Sequence, residues 1–166
     1  MQEIDQEMIM KIHIPRWNEL PEIDLYLDQV VGYLEKYLGQ YNVNKEDKII
    51  TKTMINNYVK IGIMPAPEKK KYSRQHIAYL IVICVLKQVY SISDIGKLIS
   101  LTIQYFEISK AYNRFCANLE ISVKNVFSRK EFPHVEKMTE EQYLLKNVVQ
   151  SIADKLYVEL KFLNTK

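Results

Sequence analysis

The sequence predicts a mainly α-helical protein, all-α but for one short β excursion, and three observations carry that expectation. Apolar residues make up 48% of the chain while glycine occurs only four times, a composition that supports a packed core with little flexible punctuation. Apolar positions recur at three- and four-residue spacing along most of the chain, the period of a helix buried on one side. Serine or threonine stands just ahead of several of these runs, at Thr51, Ser73, Ser91 and Thr139, where a side-chain oxygen can accept the free N–H groups of a first helical turn. With 166 residues the chain has room for one domain, or for a small domain and an oligomerising extension.

Three stretches are expected in order: an arm over residues 1–20, a domain over 21–100 and a helical region over 101–166. Before Pro15 no period settles, and Pro15, Trp17 and Pro21 punctuate an extended lead-in with Trp17 as its anchor. From Pro21, Leu25, Leu27, Val30, Val31, Leu34 and Leu38 predict a first helix that ends at Gly39, in the left-handed position after a helix. Tyr41 to Lys48 reads as a loop. Thr51 caps a second helix, Lys52 to Lys60, which stops at Gly62, Pro65 and Pro67.

The stretch from Ile63 to Pro67, the basic turn Glu68-Lys69-Lys70-Lys71 and then Tyr72 predict an extended excursion or short hairpin. Ser73 caps a third helix to about Gln88 that is apolar on nearly every face and therefore central. Ser91, with Asp94 three residues on, caps a fourth to about Ile99. Tyr105, Ile108, Tyr112, Phe115, Leu119 and Val126 form a stripe broken only by Ser122 and ended by Phe132-Pro133. Thr139 and Gln142 form a capping box for a last helix striped by Leu145, Val149, Ile152, Leu156 and Leu160. The two stripes make a C-terminal helical hairpin that wants a partner, and a second copy of the chain is expected on Tyr105, Ile108, Tyr112, Phe115 and Leu119.

Chemistry that needs clustered groups loses support. His13, His76, His134, Cys84 and Cys116 are scattered singly, so neither a metal nor a cofactor is expected. The cysteines sit in apolar runs, where a thiol acts as a small hydrophobe. No glycine-rich phosphate loop or serine elbow occurs. Glu46-Asp47 and Glu140-Glu141 are sequence neighbours, which point apart, so no catalytic residue is expected and the protein is not expected to be an enzyme. The longest apolar run, Ile77 to Leu86, is too short to cross a membrane, and the acidic, Gln-containing start does not resemble a secretory signal; a cytoplasmic protein is the expectation.

Charge is uneven. Net charge is +3, but Lys48 to Ser93 holds eight basic residues and one acid, a net of +7, whereas the rest holds 15 basic and 19 acidic residues, a net of −4. A localised polyanion-binding surface has this distribution, and so does a solvated face. The second helix adds pattern to charge: Met54, Ile55, Tyr58 and Val59 fall on one side, and Lys52, Thr53, Asn56, Asn57 and Lys60 fill one acid-free arc opposite. Lysines there suit phosphates or guanine, asparagines suit adenine edges, and threonine suits a phosphate or a thymine methyl. Lys69, Lys70, Lys71 and Arg74 would extend the surface to a DNA backbone. His76, in the first turn of the third helix, either touches a phosphate or packs beneath the basic turn.

The run from Ile50 to Pro67 resembles the recognition helix and the following Gly-Leu-Leu-Pro-Pro of MerR-type winged helix-turn-helix regulators. Lys71-Tyr72-Ser73 is similar to the Arg-Leu-Tyr-Ser return of that family's wing, and Ser91 to Ile95 to its Leu-Glu-Glu-Ile helix start. With the segment from Pro21 to Val30, the module also looks like a bacterial domain-of-unknown-function family thought to be regulator-like. The resemblance implies a winged helix-turn-helix over residues 21–100, with Thr53, Asn56, Asn57 and Lys60 facing a groove and Lys70, Lys71 and Tyr72 on the wing. It implies a homodimer that binds double-stranded DNA to regulate transcription. Asn56-Asn57 stands where the family has Arg-Tyr, and the short glycine-containing turn before the recognition helix is missing. A small-molecule effector is compatible with the family, although no metal-binding cysteine loop matches; Tyr112, Phe115 and Tyr157 suit either such a pocket or the core. A protein-interaction adaptor on the same scaffold and an architectural or excision-type DNA-binding protein are the alternatives.

Overall fold

The computed structural model describes residues 6–42, 46–131 and 134–163. It is mostly helical, with seven α-helices and one two-stranded sheet among the described residues. The helices are α1 Gln6–Met10, α2 Leu27–Leu38, α3 Lys52–Lys60, α4 Arg74–Leu86, α5 Ile92–Tyr105, α6 Ile108–Phe127 and α7 Glu140–Val158. Strands β1 (Leu25–Tyr26) and β2 (Lys71–Tyr72) pair antiparallel, Leu25 with Tyr72 and Tyr26 with Lys71. No helix among the described residues is long and apolar enough to cross a membrane. Two compact units divide the chain, one from residues 15–113 and one from residues 1–14 with 114–166.

The unit of residues 15–113 is built around α4. His76, Ile77, Ala78, Leu80, Ile81, Ile83, Cys84 and Leu86 are all buried on this helix of 13 residues, as expected of a helix that is apolar all round. Burial pushes the Cys84 thiol up to about 12, which keeps it protonated and chemically inert. Helix α2 packs on both α3 and α4 and buries Val30, Leu34 and Leu38. Trp17 anchors the lead-in: its N–H donates to Asn113 Oδ1 at 2.7 Å, and its ring meets Tyr112 edge-on at 6.4 Å. The Tyr112 hydroxyl in turn donates to the Pro15 carbonyl at 2.6 Å.

Four sequence expectations change here. The first helix begins at Leu27 and not at Pro21, because Leu25 and Tyr26 are extended and pair with β2. Gly39 is not left-handed; at φ −58° it continues from α2 into a 3-10 turn, Gly39–Tyr41. Helix α5 runs six residues past Ile99 to Tyr105 and stops where Phe106 turns extended, at φ −131° and ψ 143°. The stripe from Tyr105 to Val126 is therefore divided between α5 and α6, with Tyr105 in the former.

In the other unit the segment before Pro15 is no free arm. Helix α1 and the residues after it bury Ile9, Ile12 and Ile14, and the Ile14 N–H donates to the Glu120 carboxylate of α6 at 2.7 Å. Cys116, Leu119, Val123 and Phe127 of α6 are buried, as are Val148, Val149, Ile152 and Ala153 of α7. The predicted capping box starts α7: Gln142 N–H donates to Thr139 Oγ1 at 3.2 Å and Thr139 N–H to Gln142 Oε1 at 3.0 Å. Residues 1–5 of the expected arm and the stop at Phe132-Pro133 lie outside the described residues.

Candidate nucleic-acid interface

Helix α3 is fixed at both ends, and its approach is gripped from two sides. Thr51 Oγ1 accepts the Met54 N–H at 3.2 Å, as its residue type predicts. Ahead of it, the Ile49 N–H donates to Glu35 of α2 at 3.2 Å, while the Ile49 carbonyl accepts from Lys87 Nζ at the end of α4. At the other end Gly62 takes φ 79°, the Gly62 N–H donates to the Val59 carbonyl at 3.1 Å and the Ile63 N–H to the Tyr58 carbonyl at 3.1 Å. This is the paired-bond stop that a left-handed glycine allows. Between these ends Ile55 and Tyr58 are buried, about 1.5 to 3 kcal/mol of burial for each large side chain. Desolvation pushes the Tyr58 phenol up to about 12.

The rotation of α3 follows from those two anchors. Lys52, Thr53, Asn56, Asn57 and Lys60 are all exposed, and their donors and acceptors occupy one side of nine residues of regular helix. One neighbour tempers the charge: Asp28, in the first turn of α2, pairs with Lys52, with both side chains more than half exposed. An exposed pair of this kind contributes only about 0 to 1 kcal/mol, so a phosphate can displace it.

The basic turn is a tight hairpin. Glu68 and Lys71 exchange backbone hydrogen bonds of 3.1 and 2.9 Å, and the two central residues, Lys69 and Lys70, have φ 48° and 62°. Positive φ at both central positions is the signature of a type I′ turn, which normally selects Asn-Gly. Both lysines are exposed at the tip. Lys71 is also exposed and holds its ammonium over the Tyr26 ring, 5.2 Å from the centroid.

The remaining expected site residues go elsewhere. Tyr72 is 4% exposed; as the β2 residue opposite Leu25 it turns inward while Lys71 turns out, by the alternation of a strand. Arg74 donates from Nη2 to the Leu20 carbonyl at 3.3 Å and stands 3.8 Å from Glu22, so it braces the lead-in segment at the start of α4. Tyr112, Phe115 and Leu119 are 3%, 7% and 3% exposed; they are core residues of the single chain and not a surface for a second copy. Ile108 is partly covered, and Tyr105 is 70% exposed.

Sequence reasoning missed Asp28 and Tyr26, whose partners are distant in sequence, and left His76 open. His76 is 8% exposed and packs beneath the hairpin, edge-on to Tyr72 at 5.5 Å. Its position three residues after Ser73 is the slot of a capping box, which was the available signal.

Together these features offer two kinds of group in one unit: amide and hydroxyl side chains that can pair with base edges, and ammonium groups that can meet phosphates. Among the described residues no group of three or more His, Cys, Asp or Glu side chains is placed to hold a metal ion. No curated protein and no solved structure matches the chain. Residues 15–115, a stretch containing α3, the hairpin and α4, match the domain of unknown function DUF1836, and the chain belongs to that family.

Proposed function

We propose that the chain is a DNA-binding regulator of transcription that takes double-stranded DNA as a homodimer in the cytoplasm. Helix α3 lies in the major groove and the hairpin serves as a wing on the flanking backbone. One observation carries this reading: every residue of the polar arc on α3 is exposed while Ile55 and Tyr58 are buried behind it. Regular helix is what a major groove admits, and asparagine pairs in two directions with adenine. The tip lysines supply the sequence-independent attraction.

The winged helix-turn-helix is part of the proposal. The order α2, α3, hairpin, α4, and the pairing of β2 with a strand ahead of α2, suit it. The 13 residues between α2 and α3 exceed the usual turn of three or four, and hydrogen bonds of Ile49 to Glu35 and Lys87 tie this longer connection to α2 and to the end of α4. A second copy has Tyr105 and the half-exposed Leu101 of α5 to meet, in place of the buried residues of α6.

The test is amide NMR of the full chain with a random-sequence duplex. Shifts confined to residues 52–60 and 68–72 are expected. Shifts that miss α3, or none at low salt, would remove the proposal and favour an adaptor that binds protein.

A further inference from the structure

The hairpin that carries Lys69, Lys70 and Lys71 stands on two feet, Ala66 two residues before Glu68 and Ser73 two residues after Lys71. His76 touches both. Its Nδ1 accepts the Ser73 N–H at 3.0 Å and lies 2.8 Å from the Ser73 hydroxyl, and its Nε2 lies 3.1 Å from the Ala66 carbonyl. A backbone N–H can only donate, so Nδ1 keeps its lone pair, and the ring proton sits on Nε2 and is donated to Ala66.

Capping α4 requires only the first of these contacts, and Glu or Gln at the same position would provide it. The imidazole adds a second nitrogen on the far side of the ring, and that nitrogen reaches the other foot. The hairpin needs such a tie: its two central residues are lysines held at positive φ, where side chains are disfavoured, and β2 is only two residues long with β1 as its partner. We infer that His76 is a positioning residue, a clasp whose neutral ring joins Ala66 to Ser73 and thereby fixes where the three lysines point. Its functional consequence rests on the proposed DNA binding; the clasp itself does not.

The test uses the full chain with His76→Asn, whose Oδ1 keeps an acceptor at the Nδ1 position for the Ser73 N–H and whose shorter side chain does not reach Ala66. The helix content should persist, the Lys71 amide should exchange about tenfold faster as its hairpin opens locally, and the slope of log affinity for random duplex against log salt should become shallower by about two. Wild-type exchange at Lys71 with a wild-type salt slope would overturn the clasp. In the unaltered protein, ring-nitrogen NMR should find the proton on Nε2; a proton on Nδ1 would overturn it however the variant behaves. If the wild-type chain binds no duplex, the proposed function falls, while Lys71 exchange and the ring tautomer still decide the clasp.

Discussion

Lys69 and Lys70 hold backbone conformations that asparagine and glycine adopt with less strain, and their presence at the tip sets stability against charge. The left-handed region costs an ordinary side chain about 1 to 2 kcal/mol. Lys69→Asn with Lys70→Gly should therefore raise stability by about 1 kcal/mol in urea unfolding while weakening binding to random duplex. Stability gained with undiminished binding would show that the tip does not meet DNA. Asp28 acts in the opposite sense, since it neutralises Lys52 in the free protein. Asp28→Asn should tighten random-duplex binding about two- to fivefold at low salt, as a fluorescence titration would read. At this scale the sequence was half legible: the polar arc of α3 follows from spacing alone, but Asp28 meets Lys52 across 24 positions, and no local pattern encodes that meeting.

Among the elements, α3 and α4 were the most readable because their stops and starts are local. Thr51 and Gly62 bracket α3, and Ser73 opens α4. Gly62→Ala places a side chain at φ 79° and should cost about 1 kcal/mol in a thermal melt; an unchanged melt would mean that the turn relaxes. Asn56→Ala, on the exposed face, should leave stability unchanged and cost about 1 to 3 kcal/mol at one base position of a preferred site. Equal losses on all sequences would take Asn56 out of base readout. The start of α2 is not legible locally, because Leu25 suits the helical stripe and the strand equally, and only its pairing with the distant Tyr72 selects the strand. Likewise, nothing local distinguishes a stripe that faces a second chain from one that faces the core, which is why Tyr112, Phe115 and Leu119 were expected outside and are found inside.

For the molecule as a whole, sequence order concealed that residues before Pro15 belong with those after Asn113 in one unit, since the contact of Ile14 with Glu120 spans 106 positions. Burial elsewhere has a solution consequence. It pushes Tyr33, Tyr58 and Cys84 each up to about 12, above the values such groups have in an unfolded chain. Groups raised in the folded state stabilise it fully below their unfolded values and lose that contribution as pH rises through the folded ones. The melting temperature should therefore fall between about pH 9 and 12, and Tyr58→Phe should lessen the slope; a melt independent of pH over that window would contradict the burial of these groups.

The most direct measurement of the central claim is a titration of the full chain with random-sequence duplex at two salt concentrations, alongside Lys70→Ala/Lys71→Ala. The account predicts affinity that falls steeply with salt for the wild type, and weaker binding with a slope shallower by about two for the variant. Binding that ignores salt, or a variant indistinguishable from the wild type, would contradict it.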